Sequence, residues 1–155
     1  MGIEDAINAF FEELQRTLAR EIRNKLTYLG IEAVNRVRET HPNDWTDQTS
    51  NLRSSTGWAY YEEAKKQVQS AFDAVKPEGI EGSETGKKLV EELAKELSDK
   101  YAIAVVAGMD YAEFVEAKGK DVLASTEAWM REEVNARLQE AIDATIDVMN
   151  KKRIG

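Results

Sequence analysis

The sequence contains no cysteine and a single histidine, His41. The lack of cysteine excludes disulfide bonds, thiolate metal sites and a cysteine nucleophile. One histidine without any cysteine also nearly excludes a zinc site. His41 lies next to Pro42 in a polar linker, whereas a Ser–His–Asp triad needs a histidine that a rigid scaffold positions. We therefore interpret His41 as a loop residue.

Long apolar runs and a basic surface are missing as well. No stretch approaches the roughly 20 apolar residues that a membrane helix needs, and the segment "MGIEDAINAFF" carries acids where a signal peptide is basic. The net charge is −8, with an isoelectric point near 4.8. Basic faces supply most of the affinity for nucleic acid, so stable binding to DNA or RNA is disfavoured. We expect a cytosolic protein with no membrane partner and no secretion signal.

One long apolar repeat occupies the first quarter of the chain. Apolar residues recur every three or four positions from residue 3 to about residue 38, which is typical of one face of an α-helix. An unbroken helix of this length spans about 50 Å. A compact domain of this size does not need such a helix, so we expect part of the stripe to contact a partner. The stripe consists of Ile3, Ile7, Phe10, Leu14, Leu18, Ile22, Leu26, Leu29, Ala33 and Val37, and Gly30 is expected to bend or weaken it.

The period of the pattern changes after the polar linker at residues 40–51. Alternating residues predict a strand in "LRSSTGWAYYEE" and a second in "KQVQSAFDAV", joined by a hairpin turn near Glu62 to Lys66. Thr56, Trp58 and Tyr60 are expected to share one face of the first strand. "YAIAVVAG" at 101–108 predicts a third strand, more fully buried than the other two.

Three further helices are predicted. The loop-rich stretch 76–86 is followed by a helix at 84–99 that Ser83 caps, and 109–118 form a short helix. The last helix is capped by Ser125 or Thr126 and runs to about Asn150. We therefore predict one α+β domain at 1–155: a long N-terminal helix (1–39), a small antiparallel sheet region with an inserted helix (50–123, with the helix at 84–99), and a C-terminal helix (125–151). The apolar residues of the last helix are Trp129, Val134, Leu138, Ile142, Ile146 and Met149.

Acidic residues are the first candidates for chemistry. Asp110, Glu113 and Glu116 lie three apart and would line one face of a helix, where their oxygens could hold a hard cation. A calcium loop needs a denser Asp/Asn pattern with a glycine turn, so a solvated acidic face is the preferred interpretation. A carboxylate pair that performs acid–base catalysis, as in a small hydrolase, is the enzymatic alternative.

Two other motifs resemble ligand sites only superficially. "GSETGKK" at 82–88 lacks the spacing of a phosphate loop, which has four residues between its glycines and Ser or Thr after its lysine. "WAYY" at 58–61 could stack bases, but aromatics that alternate along a strand usually form core and cross-strand pairs. The residues alone therefore predict no catalytic residue, no cofactor and no metal site.

Three segments, in order, resemble a family of phage proteins. "TSNLRSST" (49–56) is similar to the element tGnLrrS, and "VVAGMDYAEFVEAKG" (105–119) is similar to V-x-G-x-x-x-YA-x-x-vE-x-G. "VLASTEAW" (122–129) stands where the family has pFLxPA at the entry to its last helix. The family is the tail-component or tail-completion (neck, head–tail joining) proteins of tailed bacteriophages, of the lambdoid gene-product-ten type.

The resemblance implies an α+β fold and a non-enzymatic role in the virion. Copies would form a ring at the head–tail junction, between the connector or adaptor and the tail-terminator or tail-tube proteins, and DNA would only pass through it. Such a protein is made in the cytoplasm of the bacterial host and ends in the virion. The positions that carry the family motif, and with it the assembly role, are Asn51, Leu52, Arg53, Tyr111, Ala112, Val115, Glu116 and Gly119.

The ring contact is expected to come from the exposed part of the N-terminal helix and from the 76–86 loop. Within "YAEFVEAKG", Tyr111, Phe114 and Val115 are expected to lock a short helix onto the sheet. The alternative from another class is a non-enzymatic, helix-mediated protein-binding module or regulator, which would grip one partner with the same N-terminal stripe.

Overall fold

The computed structural model describes residues 2–39, 51–74, 77–109 and 123–154. Two long helices and a three-stranded antiparallel sheet dominate the described part of the chain, which confirms the α+β prediction. In chain order the elements are helix α1 (Ile3–Glu39), helix α2 (Asn51–Ser54), strand β1 (Thr56–Glu62), strand β2 (Lys65–Gln69), a 3₁₀ turn (Pro77–Gly79), helix α3 (Ile80–Leu93), strand β3 (Tyr101–Ala107) and helix α4 (Ala124–Ile154).

The sheet has the strand order β2-β1-β3, so β1 lies at its centre. β1 and β2 form the predicted hairpin, with the turn at Glu63 and Ala64. Both turn residues have positive φ, 51° and 63°, and such a turn matches the twist of the flanking strands. β3 is an edge strand and most of its residues are only partly buried, so the prediction of a more fully buried third strand is wrong.

The second strand is shorter than its alternating sequence predicted. β2 ends at Gln69, because the next residue turns back towards β1: the Ser70 backbone N–H donates to the Trp58 carbonyl, and the Ser70 hydroxyl accepts from the Trp58 N–H at 3.0 Å. Phe72 then adopts a φ of 51° and buries its ring almost completely, at 1% exposure. The apolar residue beyond Gln69 that extends the alternation in the sequence is Phe72. Its side chain is buried in the core, but the backbone that carries it is not part of β2.

The two faces of β1 are covered by different helices. Trp58 and Tyr60 pack with α1 and α4, as their predicted shared face requires. Ala59 and Tyr61 point the other way and pack with Val90 of α3 and with Phe72. The sheet is therefore the middle of three layers, with the long helices on one face and the inserted helix on the other. Large aromatic side chains on both faces of β1 pack against these helices, so β1 is buried along nearly its whole length.

Helix α3 begins earlier than predicted, and Ser83 does not cap it. The helix starts at Ile80 inside the stretch that was predicted to be a loop. Ser83 is buried within its second turn, and its hydroxyl donates to the Phe72 carbonyl. Gly82 and Gly86 serve close packing: a Cβ on Gly82 would lie 1.9 Å from the carbonyl oxygen of Asn51. The helix contacts its neighbours at these glycines. Because frequent glycine is typical of loops, the sequence predicts a loop here instead of a helix.

Helices α1 and α4 pack antiparallel along most of their length. The Arg36 guanidinium lies 5.2 Å from the centre of the Trp129 ring at one end of the pair, and Glu13 and Lys152 form an ion pair at the other. Gly30 does not interrupt α1. A Cβ there would approach Ile103 and Trp58 to 2.9 and 3.0 Å, so the glycine lets the helix lie close to the sheet.

Candidate interaction surface

The motif residues that the structure describes form a buried structural joint. Asn51 accepts a hydrogen bond from the Gly82 backbone N–H through its side-chain oxygen at 2.9 Å. The carbonyl of Leu52, whose side chain is 1% exposed, accepts from the hydroxyls of Ser55 at 2.7 Å and Thr56 at 3.0 Å. Arg53 is half-buried beside them. These contacts bind α2 to α3 and to the start of β1, so this part of the motif supports the fold directly.

The other predicted positions lie outside the described residues. They are Tyr111, Ala112, Val115, Glu116 and Gly119, together with Asp110, Glu113, Phe114 and His41. The proposed roles of "YAEFVEAKG" and of its acidic residues stay predictions. Within the described residues, no group of three or more histidine, aspartate or glutamate side chains is arranged to hold a metal ion.

The first turns of α1 expose the apolar stripe that the sequence predicted. Ile3 is 83% exposed, Ile7 49%, Phe10 44% and Phe11 53%. The Phe10 and Phe11 rings contact each other edge to face with their centres 5.8 Å apart. We call residues 3–14 of α1 the projecting end. Further along the same helix, from Ile22 to Val37, the stripe is buried against the sheet and α4.

The register of α4 explains why the projecting end is uncovered. Lys25 pairs with Glu140, and Glu13 pairs with Lys152, which is the same twelve-residue step along each helix. In that register Ile154, the last helical residue of α4, lies level with Phe11. Residues 3–10 of α1 therefore lie beyond the described end of α4, and the core that packs on the sheet reaches only as far as Leu18.

Helix α4 carries two exposed apolar residues further along the helix pair. Ile142 is 43% exposed and Ile146 is 50% exposed. They follow the same four-residue spacing as Val134 and Leu138, but steps of four drift around a helix of 3.6 residues per turn, and Ala141, Thr145 and Met149 occupy the buried face here. Of the ten large hydrophobic residues that are exposed in the described part of the chain, four lie on the projecting end. We call these four the helical surface: Ile3, Ile7, Phe10 and Phe11.

The 76–86 stretch contributes less exposed apolar surface than predicted. Gly79, Gly82, Ser83 and Gly86 are buried, because this stretch forms the start of α3 and packs on α2. Ile80 is its one large hydrophobic side chain that is exposed, at 57%. The prediction of a loop at 76–86 is therefore wrong for the residues that the structure describes, and a ring contact from this stretch stays a prediction.

Charged groups tie the long helix to the sheet without forming a reactive centre. Arg23 makes hydrogen bonds of 3.1 to 3.2 Å to the Glu62 carboxylate, and the Tyr60 hydroxyl donates to the same carboxylate at 3.0 Å. Burial raises the pKa of Tyr60 above its ordinary value, and the neighbouring Glu62 raises it further. Tyr60 therefore keeps its proton at neutral pH and acts as a hydrogen-bond donor in the core.

An apolar cavity lies between β3 and the start of α4. Its volume is about 410 Å³, and apolar side chains make up most of its lining, among them Leu29, Ile103, Val105, Met130 and Val134. Its two charged residues, Glu127 and Arg131, form an ion pair with each other at 2.7 Å. This lining offers no general base next to a nucleophile, so the helical surface is the stronger candidate for function.

Comparisons with known proteins do not identify a family for this chain. No family model, no curated protein and no solved structure matches the chain. Within the described ranges, none of the helices combines the length and the apolar character that crossing a membrane requires.

Proposed function

We propose that this chain is a non-enzymatic structural protein of a phage or prophage virion that acts at the head–tail junction. The observation that supports a structural role is the helical surface. Soluble monomers rarely leave a contiguous group of large apolar side chains in water, and such groups usually mark contacts with other proteins. Here the group sits at the end of a helix whose other half is anchored in a packed core.

The architecture suits a part that carries mechanical load. α1 is held to the sheet by the Arg23–Glu62 hydrogen bonds and by the bond from Arg38 to the Thr56 carbonyl at 2.6 Å. A contact made at the projecting end would therefore be transmitted directly to the sheet. Preorganisation of this kind also lowers the entropy that an assembling subunit loses.

The resemblance supplies the phage context. "TSNLRSST" contains the residues of the α2 joint, and the net charge of −8 offers few phosphate contacts to DNA that passes through a channel. We propose that copies form a ring in the virion, next to the connector or adaptor on one side and the tail-terminator or tail-tube proteins on the other. The protein would be made in the host cytoplasm before it joins the virion.

The DNA that flanks the gene tests the phage context first. Capsid and portal genes on one side and a tape-measure gene on the other would support the head–tail assignment. Deletion of the gene should then leave full heads and separate tails, which electron microscopy of lysates would show. Flanking genes for metabolism or regulation, with no virion genes nearby, would contradict the assignment.

A complementation experiment connects that function to the helical surface. In the deletion background, we expect a Phe11→Glu variant to leave heads and tails unjoined, because a charge replaces a large apolar contact. An Ile80→Glu variant, changed at an equally exposed isoleucine on α3, should restore plaques. If both variants restore plaques, the helical surface is not needed to join heads and tails.

The same surface also favours the second candidate function, a helix-mediated binding module or regulator. An amphipathic helix that lays its apolar face into a groove is a common mode of recognition. This alternative predicts one tight complex with a single different protein and no ring. The flanking genes distinguish the two functions, because a binding module does not require virion genes beside it.

A further inference from the structure

The projecting end has the residue spacing of a coiled-coil seam. Ile3, Ile7, Phe10 and Leu14 follow one another at steps of four, three and four residues. This alternation packs best against a second helix that runs alongside. α4 lies alongside only from about Phe11 onward, where Leu14 is already partly buried, so the part of the seam before Phe11 is open to a helix from another molecule.

We propose that this helix is the projecting end of a second copy of the chain, and that the two run antiparallel about a two-fold axis near Phe10 and Phe11. In this arrangement Phe10 lies level with Phe11 of the second copy, and Ile7 lies level with its Leu14. Aromatic rings therefore meet aromatic rings, and aliphatic side chains meet aliphatic side chains. The inference rests on the proposed role of the helical surface as a protein contact.

The exposed apolar area suits a weak, reversible pair. From the exposed fractions of Ile3, Ile7, Phe10 and Phe11, the projecting end offers roughly 400 Å² of apolar surface per copy. Two copies would bury about twice that, which lies below the roughly 1,200 Å² of stable specific interfaces and is typical of transient contacts.

Charge favours the antiparallel direction. The acidic residues Glu4 and Asp5 begin α1, and Arg16 lies eleven residues after Asp5. About the proposed axis, Asp5 of one copy lies level with Arg16 of the other. Glu12 and Glu13 then lie level with the neutral Ala9 and Asn8, and each lies about 5 to 8 Å along the helices from the same acid of the other copy. A parallel pair in register would instead place all four acids level with themselves, and like charges and parallel helix dipoles repel each other.

The exposed Ile146 of α4 also lies close to the second copy in this pair. By the register of the α1–α4 ion pairs, Ile146 lies level with Ala19 of its own chain. In the proposed pair, Ile3 of the second copy arrives level with Leu18, which is one residue away. Each copy then contributes two antiparallel helices, and the four helices together form a short bundle.

The pair is closed, so it does not grow into a ring by itself. We infer that it is the form of the protein before assembly, in which each copy covers the apolar surface of the other. A virion partner would replace one copy and gain the same surface. The protein would therefore be a dimer in the cytoplasm and would leave the dimer when it joins the virion.

Cysteine cross-linking of the full chain tests the pair directly, because the chain has no cysteine of its own. We expect Phe10→Cys to form a disulfide-linked dimer by itself, since that position lies at the axis. Ile7→Cys alone should not link, because two copies of residue 7 lie about 10 Å apart along the helices. A mixture of Ile7→Cys and Leu14→Cys chains should give the mixed dimer. Ile80→Cys, on the exposed face of α3, is the control that reports random collision.

The outcomes separate the pair from the proposed function. Linkage of Ile7→Cys with itself would show a parallel pair and overturn the proposal. Linkage no greater than that of the Ile80→Cys control, at every position, would overturn it as well, provided that circular dichroism shows each variant folded. A gene neighbourhood without virion genes, together with the expected cross-links, would overturn the phage role alone.

Discussion

The two halves of α1 carry the same apolar repeat and meet different surroundings. Between Ile22 and Val37 the stripe is almost completely buried, and Leu29 is 0% exposed. Between Ile3 and Phe11 the same spacing leaves each large side chain about half exposed or more. Periodicity specifies which face of a helix is apolar. It does not specify whether that face belongs to the core of the same chain or to an interface with another.

The largest effect is expected in the packed body, at Gly82. A Cβ there would overlap the Asn51 carbonyl oxygen, and backbone on both sides leaves no flexible group to move. We expect Gly82→Ala to lower the free energy of unfolding by about 4 kcal/mol, measured by urea denaturation. Gly30→Ala is the matched control, because the atoms near its Cβ belong to side chains. A loss of stability as large at Gly30 would contradict this difference.

A pair of truncations on α1 compares its two halves directly. Leu29→Ala removes a buried side chain and should cost about 3 kcal/mol of unfolding free energy. Ile7→Ala, at a position that is 49% exposed, should cost less than about 0.5 kcal/mol at concentrations where the chain is monomeric. Equal losses in chemical denaturation would mean that the projecting end packs on its own chain.

The buried tyrosine at the centre of the sheet predicts a smaller effect that depends on pH. Tyr60 has its pKa raised above the ordinary value of 10.0 in the folded chain, so the folded state holds the phenol proton more strongly than the unfolded state does. Stability from this group is complete below pH 10 and is lost as pH rises through and beyond it. We expect Tyr60→Phe to lose less stability than the wild type between pH 9 and pH 11 in urea denaturation. An identical pH dependence would show that other groups cause the alkaline loss.

The long helices could be predicted from the sequence because their signal is repeated over many turns. α1 begins and ends within a residue or two of its predicted limits, and α4 starts at Ala124, next to the predicted cap. The sequence predicts the start of α3 several residues too late, because Gly79, Gly82 and Gly86 are typical of loops. Here each is buried against a neighbouring element, and no local pattern reveals that a glycine serves close packing.

The candidate surface was predictable only in part. The length of α1 indicated that some of its stripe would need a partner, and the exposed positions of Ile3 and Phe10 agree with that expectation. Ile142 and Ile146 could not be recognised as exposed, because their spacing equals that of their partly buried neighbours Val134 and Leu138. The buried face of α4 at this level carries the small or polar residues Ala141 and Thr145, which an apolar pattern does not reveal.

The most direct test of self-association through the helical surface is the mass of the chain in sedimentation equilibrium, followed from low to high micromolar concentration. For the wild type we expect a concentration-dependent rise from monomer to dimer. For Phe11→Glu we expect a monomer throughout with an unchanged unfolding midpoint, and for Ile80→Glu the wild-type behaviour. A wild-type chain that stays monomeric at every concentration, or a Phe11→Glu chain that associates like the wild type, would contradict the pairing of two copies through these residues.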